Sequence, residues 1–162
     1  KKLKNKEEIL KKILDINKTL KNDFNIKKPN IVISGLNPHS GENGIIGDEE
    51  IKIINSLIKF LKKNKINING PFSGDSLINP KKINKYDCYI YCYHDQALIP
   101  FKIITNFQGI NYTGSLNIIR VSPDHGTAYD IVGKGIADPK SLENSFKAIK
   151  NIYRNRKKID NS

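Results

Sequence analysis

Short apolar runs alternate with longer segments of helical periodicity, and this alternation limits the folds that the chain can adopt. Residues 31–34 (Ile-Val-Ile-Ser) form an apolar run typical of a buried strand. Residues 3–24 instead carry apolar side chains at three- and four-residue spacing with lysines opposite, which predicts an amphipathic helix. Strands that alternate with helices favour a layered α/β domain, and 162 residues are enough for one such domain with a real core.

The same patterns predict the remaining elements. Further helices are expected from Asp48 to about residue 63, over residues 128–132 and from about Ser141, and further strands over residues 66–68, 86–93, 110–116 and 118–121. Residues 86–93 are expected to be the central strand, and Gly70-Pro71 opens a predicted loop. Residues 97–104 are apolar but interrupted by Pro100, so their state is left open. We divide the chain into an amino-terminal helix and connection (1–30), an α/β portion (31–153) and a charged, frayed tail (154–162).

The net charge of +12 raises the question of a nucleic-acid partner. The excess is lysine, spread over the whole chain and mixed with isoleucine and asparagine. Arginine is the residue that usually contacts base edges and binds phosphates bidentately, and the chain has only three: Arg120, Arg154 and Arg156. The composition therefore favours a solvated lysine surface over a nucleic-acid interface.

Other compositional features place the chain among cytoplasmic proteins. No apolar run approaches the length of a membrane span. Cys88 and Cys92 lie four residues apart on one predicted strand, where they are poorly placed to form a disulfide, so a reduced compartment is expected. The sequence contains no methionine, even at position 1, which indicates a piece of a longer protein.

The three histidines have similar surroundings, because each follows an apolar run in a context of Gly, Pro or Asp. They are His39, His94 and His125. Two imidazoles with a carboxylate such as Asp95 would suit Zn²⁺ or another divalent ion, and the carboxyl edge of an α/β sheet is where ligands bind. The spacing does not match a local zinc motif, so structural or merely exposed histidines remain an alternative.

Cationic and glycine-rich positions downstream of His94 are candidates for binding an anion or a cofactor. Lys102 and Arg120 could clamp a phosphate or carboxylate. Lysine is so common here that Lys102 is weak evidence, whereas Arg120 lies within an apolar strand. The small residues over 126–139 allow close backbone approach to a ligand but lack the GxGxxG dinucleotide fingerprint, so a plain tight loop is equally consistent with them.

Four motifs then occur in a recognisable order. They are Leu36-Asn37-Pro38-His39-Ser40-Gly41-Glu42, Gly70-Pro71 with Asp75, Tyr93-His94-Asp95-Gln96, and Asp124-His125-Gly126-Thr127-Ala128. Together they resemble the 4-hydroxythreonine-4-phosphate dehydrogenase family of vitamin B6 synthesis, over about residues 31–152. Residues 126–139 also resemble the loop that holds the cofactor's adenosine in isocitrate and isopropylmalate dehydrogenases.

The resemblance implies a fold, a reaction and a set of site residues. The fold would be part of a three-layer α/β/α, isocitrate/isopropylmalate dehydrogenase-like homodimer that uses NAD and one divalent ion (zinc, magnesium or cobalt). The reaction would oxidise 4-phosphooxy-L-threonine and decarboxylate the product to 3-amino-2-oxopropyl phosphate. The implied residues are His39 and His94 for the metal; Lys102, Asn111 and Arg120 for the substrate; and His125, Gly126, Thr127, Ala128 and Asp138 for the cofactor.

Asp95 is a candidate to orient the His94 imidazole, with an ion pair or a strand-end cap as the alternative. The family's chain is much longer, and the missing amino-terminal part would carry a third metal histidine and a His-Thr pair that binds substrate. We therefore expect a carboxyl-terminal portion with little or no dehydrogenase activity by itself. Two alternatives stay open: a relative that oxidises another phosphorylated hydroxy acid, and a non-catalytic remnant whose lysine surface binds RNA or a partner protein.

Overall fold

A three-stranded parallel sheet forms the centre of the fold in the computed structural model, which describes residues 5–81 and 83–161. Its strands are β1 (Ile31–Ser34), β2 (Ile68–Phe72) and β3 (Cys88–Ile90), in the order β2-β1-β3. All four residues of β1 are buried, which agrees with its continuous apolar sequence. The predicted α/β class and the predicted strand over residues 31–34 are confirmed.

The strand expected at the centre lies at the edge of the sheet that the described residues form. β3 pairs with β1 only, through Ile31 opposite Cys88 and Ile33 opposite Ile90, and its residues are half-buried. The prediction of a central strand over residues 86–93 is therefore wrong in both position and length. Its tyrosines explain the error, because a tyrosine packs its ring and still keeps its hydroxyl near water, so it suits an edge as well as a centre.

β2 continues through Gly70-Pro71, which the sequence assigned to a loop. The β1–β2 register is irregular between Val32 and Ser34, and pairing resumes with Ser34 opposite Phe72. Beyond it, the Gly35 N–H donates to the Phe72 carbonyl, with 2.7 Å between nitrogen and oxygen. An irregularity of this kind accommodates a proline, which has no N–H for the ladder.

Four helices accompany the strands: α1 (Lys6–Asn22), α2 (Asn55–Lys63), α3 (His94–Ile104) and α4 (Lys140–Asp160). A π-helical turn, Glu50–Ile54, leads directly into α2. α3 settles the state of residues 97–104, which are helical despite Pro100. The short helix expected over residues 128–132 is a 3₁₀ turn, Tyr129–Ile131.

The hydrophobic core lies between α1, α2 and the parallel sheet. Buried isoleucines and leucines from these elements form one cluster: Ile13, Leu20, Ile31, Ile33, Ile54, Ile58, Leu61, Ile66 and Ile68. In the part of the chain that the structure describes, no helix is both long and apolar enough to cross a membrane.

A separate antiparallel pair, β4 (Ile110–Thr113) and β5 (Arg120–Pro123), packs against α4. Ser141, at the start of α4, links this helix to the β4–β5 pair. Its hydroxyl donates to the Gly109 carbonyl (2.5 Å) and accepts from the Asp124 N–H (3.1 Å).

The carboxyl-terminal residues are helical rather than frayed. α4 runs to Asp160, and the Arg156 guanidinium forms an ion pair with the buried carboxylate of Asp23 at the end of α1 (Nε–Oδ1 2.7 Å). The prediction of a frayed tail is therefore wrong for residues 154–160, which a long-range ion pair anchors that helical periodicity cannot reveal, while Ser162 lies outside the described residues.

Candidate functional site

The carboxyl ends of the three parallel strands bring several of the predicted site residues to one edge of the sheet. His39 follows β1, Asp75 follows β2, and His94 is the first residue of α3 after β3. This is the edge at which open α/β sheets bind ligands. His125 follows β5 instead, in the antiparallel pair, so the three histidines do not share one sheet edge.

The loop that carries His39 has an unusual backbone. Five consecutive residues, 39–43, have positive φ between 41° and 82°, and only Gly41 among them lacks a side chain. Side-chain-bearing residues rarely adopt such angles, and a run of them persists only where the surroundings hold it.

Each of the two candidate metal histidines has its Nδ1 beside a carboxylate. Nδ1 of His39 lies 2.5 Å from Oε1 of Glu42, and Nδ1 of His94 lies 2.7 Å from Oδ1 of Asp95. The hydrogen bond that His39 donates to Glu42 is the main reason that the pKa of His39 is raised above its ordinary value of 6.5. A carboxylate at Nδ1 places the proton there and leaves Nε2 as the nitrogen that can bind a metal.

This donor set fits a divalent ion in part. Both imidazoles are exposed and directed by a carboxylate, which is how metal-binding histidines are usually arranged. However, among residues 5–81 and 83–161 no group of three or more His, Cys, Asp or Glu side chains is placed to hold a metal ion together. The described residues therefore offer separate imidazole ligands rather than a complete cage.

A cavity of about 990 Å³ opens beside α3, between β3 and β4. Its polar lining includes His94, Asn111 and Asp124, and its apolar and aromatic lining includes Tyr91, Leu98 and Phe101. A concave site with a few converging polar groups is the usual form of a small-molecule site. The cavity therefore joins a candidate metal ligand to a candidate substrate-binding residue.

Lys102, on α3, pairs with Asp124, which lines this cavity. Its Nζ lies 3.3 Å from both Oδ2 and the backbone oxygen of Asp124, and 5.9 Å from the centre of the Phe107 ring. Both side chains are largely buried. A half-buried ammonium with one carboxylate partner keeps further donor capacity for a phosphate or carboxylate.

Arg120, the third predicted substrate residue, does not line the cavity. It is exposed at the start of β5, and its Nη1 donates to the Thr113 hydroxyl across the strand pair (2.8 Å). His39 is likewise outside the cavity lining.

The predicted cofactor residues lie on an exposed loop between β5 and α4. Nδ1 of His125 lies 3.1 Å from the Gly126 carbonyl, and Ala128 is left-handed (φ 46°). Asp138 accepts the Lys140 N–H at the start of α4 (2.9 Å). A Cβ at Gly126 would meet no atom within 4 Å, so the loop surface is open at this position.

Sequence reasoning assigned no role to Glu50 or Gln96. The Glu50 carboxylate is only 2% exposed and accepts hydrogen bonds from the His39 loop, although the sequence shows only an acidic first turn of a helix. Gln96 bonds to residues at the ends of β1 and β3. Its place two residues after His94 was the available signal, but Ser34 and Gly35, two of its partners, are distant in sequence.

The family model described as "Pyridoxal phosphate biosynthetic protein PdxA" matches residues 2–149. A 4-hydroxythreonine-4-phosphate dehydrogenase from Desulforapulum autotrophicum is 47% identical over 138 residues, which cover 85% of this chain and 41% of the relative. One from Sulfurihydrogenibium sp. is 48% identical over 136 residues, covering 84% of this chain and 42% of the relative.

Solved structures show the same likeness. The crystal structure of a 4-hydroxythreonine-4-phosphate dehydrogenase from Klebsiella pneumoniae superposes with a TM-score of 0.78 at 34% identity, covering 91% of this chain and 44% of that one. A terephthalate 1,2-cis-dihydrodiol dehydrogenase from Burkholderia xenovorans superposes with a TM-score of 0.68 at 26% identity, covering 90% and 46%. The chain spans about two fifths of the length of the curated relatives.

Proposed function

Because this chain belongs to the PdxA family of pyridoxal phosphate biosynthetic proteins, we propose that it supplies part of the active site of an NAD-dependent 4-hydroxythreonine-4-phosphate dehydrogenase. The substrate would be 4-phosphooxy-L-threonine and the product 3-amino-2-oxopropyl phosphate. The complete enzyme would be a cytoplasmic homodimer with a three-layer, isocitrate/isopropylmalate dehydrogenase-like fold. The relatives named 4-hydroxythreonine-4-phosphate dehydrogenase support this assignment.

Three groups of residues would bind the metal, the substrate and the cofactor. His39 and His94 would bind one divalent ion (zinc, magnesium or cobalt) through Nε2, with Asp95 orienting the second imidazole. Lys102, Asn111 and Arg120 would bind the phosphorylated substrate. His125, Gly126, Thr127, Ala128 and Asp138 would bind NAD.

The reaction balances as a two-electron oxidation followed by loss of carbon dioxide. When bound, NAD⁺ would accept a hydride from the carbinol carbon, and the hydroxyl would lose a proton, which would leave a β-keto acid. The carboxylate then departs as CO₂, and its bonding electron pair is protonated at the former α-carbon. A bound divalent ion would supply Lewis-acid polarisation of the reacting oxygen. Lys102 would hold the substrate phosphate near His94 and keep it oriented.

We also propose that the 162-residue chain by itself has little or no dehydrogenase activity. Two imidazoles hold a divalent ion weakly, because protein metal sites generally use three or more ligands. Measurable NAD reduction with 4-phosphooxy-L-threonine by this chain would contradict that statement.

The cavity beside α3 is the observation that carries the proposal, because His94 and Asn111 line it together with Asp124, the ionic partner of Lys102. An imidazole that can bind a metal thus lies within one site with donors suited to a phosphorylated amino acid. His94, Asn111 and Asp124 would not need to line one cavity if each had only a structural role.

Residue-level NMR with Co²⁺ as the probe tests the metal part, because paramagnetic broadening reports even weak binding. We expect broadening centred on residues 35–44 and 92–96. It should fall sharply in His39→Ala and in His94→Ala, since each removes one imidazole. His125→Ala is the matched control, which should keep the Co²⁺ broadening and lose NAD binding. Broadening centred elsewhere, or unchanged by both metal-ligand variants, would sink the metal assignment.

A second candidate differs only in substrate. The Burkholderia xenovorans structure bears the name of a dehydrogenase for a non-phosphorylated dihydrodiol, so related folds serve other hydroxyl substrates. A relative that oxidises another phosphorylated hydroxy acid is therefore the alternative. Chemical-shift changes around Lys102 and Asn111 that respond to other phosphorylated hydroxy acids but not to 4-phosphooxy-L-threonine would favour it.

A further inference from the structure

Glu50 lies at the base of the loop that carries His39. Its Oε1 accepts the backbone N–H groups of Leu36 (2.7 Å) and Asn37 (2.8 Å), and its Oε2 accepts the Asn37 side-chain amide (2.9 Å). The residue is almost fully buried. Burial raises the pKa of Glu50, but the hydrogen bonds from Asn37 and Leu36 outweigh it and hold the pKa below its ordinary value. The carboxylate therefore stays charged, and such hydrogen bonds are stronger than neutral ones.

The loop closes tightly around the same carboxylate. A Cβ at Gly41 would lie 2.8 Å from Oε2 of Glu50 and 2.5 Å from the Gly47 carbonyl oxygen, and Gly41 has φ +82°. A side chain fits there only if the loop moves. The hydrogen bonds from Leu36 and Asn37 to Glu50 thus fix the chain just before the left-handed run over residues 39–43, and the close approach of Gly41 fixes the middle of that run.

The helical backbone at Glu50 is also irregular. Residues Glu50–Ile54 are wound as a π-helix, in contrast to the α-helix that follows. Single π-turns within α-helices occur frequently at functional sites. Here the π-turn begins at the residue whose side chain points back to the loop.

We propose that Glu50 is a positioning residue for His39: its buried carboxylate holds the left-handed loop in the one backbone arrangement that directs the imidazole toward a metal. The metal-directing role of Glu50 rests on the proposed function. The hydrogen bonds between Glu50 and the loop do not depend on it. The sequence offers a neighbouring control, since Glu49 contacts the loop only through the Asn37 side chain (2.7 Å) among the described residues.

Four variants separate this role from general stabilisation: Glu50→Ala, Glu50→Gln, Glu49→Ala and Gly41→Ala. The first readout needs no metal: amide hydrogen exchange at Leu36 and Asn37, measured below the unfolding transition of each variant. Glu50→Ala should speed both exchange rates by at least about tenfold, because two buried N–H groups lose a charged acceptor. Glu50→Gln keeps one oxygen for both N–H groups and should stay within about threefold of wild type, as should Glu49→Ala.

Co²⁺ broadening at residues 35–44 is the second readout. Glu50→Ala and Gly41→Ala should both weaken the Co²⁺ broadening, at residues 35–44 and at residues 92–96, as His39→Ala does. Unchanged exchange at Leu36 and Asn37 in Glu50→Ala would overturn the proposal, as would loss of global stability with Co²⁺ broadening intact. Absence of Co²⁺ broadening in wild type would contradict the proposed metal site, and the exchange measurement would still decide whether Glu50 holds the loop. If Glu50→Ala does not fold, Gly41→Ala takes its place, because the added Cβ would displace the Glu50 carboxylate. Faster exchange at Leu36 and Asn37 together with weaker Co²⁺ broadening would support the proposal, and no change in either would overturn it.

Discussion

The side-chain amide of Gln96 donates to the backbone carbonyl of Gly35, with 2.9 Å between Nε2 and the oxygen. Its Oε1 accepts from the Ser34 hydroxyl (2.7 Å) and the Cys92 N–H (2.9 Å). Gln96 lies two residues after His94, and Gly35 lies four residues before His39. One side chain therefore connects the two loops that carry the candidate metal ligands.

Gln96→Ala should lower the free energy of unfolding by about 1–3 kcal/mol, because three partly buried polar groups lose their partner. Urea denaturation measures this change. Gln108→Ala is the control, since the backbone N–H of Gln108 donates to Thr105 and its backbone carbonyl accepts from the Asn144 side chain. Equal unfolding free energies for the two variants would show that Gln96 does not tie the loops together.

Arg156→Ala should destabilise the fold by about 2–4 kcal/mol, because it leaves the buried Asp23 carboxylate without its ionic partner. Arg156 also donates to the Leu116 carbonyl (3.0 Å), so α4, the end of α1 and the β4–β5 connection are all joined through it. Arg154→Ala, on the exposed part of the same helix, should change the unfolding free energy by less than about 0.5 kcal/mol. A similar small effect at Arg156 would contradict the anchoring role.

The Asp23–Arg156 contribution should depend on pH. Burial raises the pKa of Asp23, but hydrogen bonds from Arg156 and Tyr112 outweigh it and hold the pKa below its ordinary value of 3.8. The stabilisation is therefore complete above the ordinary pKa and is lost as the pH falls through the lowered one. We expect the stability difference between wild type and Arg156→Ala to be constant near neutral pH and to shrink below about pH 4. A difference that grows on acidification would refute this sign.

Lys102→Met should weaken binding of 4-phosphooxy-L-threonine by at least about tenfold, if the proposed function is right, because a phosphate would lose a half-buried cationic partner. NMR titration measures the dissociation constant. Lys52→Met is the matched control, since Lys52 also pairs with an aspartate, Asp48, but is exposed on the π-turn before α2. Equal effects of the two substitutions would point to general charge attraction instead of a site.

Local sequence patterns predicted the secondary structure wherever one periodicity dominates. The apolar run over residues 31–34 and the amphipathic repeat of α1 both depend on neighbours within one turn or one pleat, so the chain itself reveals them. The order of the motifs likewise indicated the family. Local patterns failed at β3, because a tyrosine-containing strand has the same sequence pattern at the edge of a sheet as at its centre. They also failed at residues 154–160, because the residue that anchors them, Asp23, lies near the other end of the sequence.

For the candidate site, the sequence by itself determined which residue types follow the strands: His39 after one, His94 after another, and Lys102 and Asn111 beyond. Only the tertiary structure decided which of them meet. Parallel pairing brings the ends of β1, β2 and β3 to one edge, whereas His125 follows a strand of the antiparallel pair. Most supporting contacts of Glu50 and Gln96 were also decided there, because Asn37 lies 13 residues before Glu50 and Ser34 lies 62 residues before Gln96, and no local pattern encodes such distances.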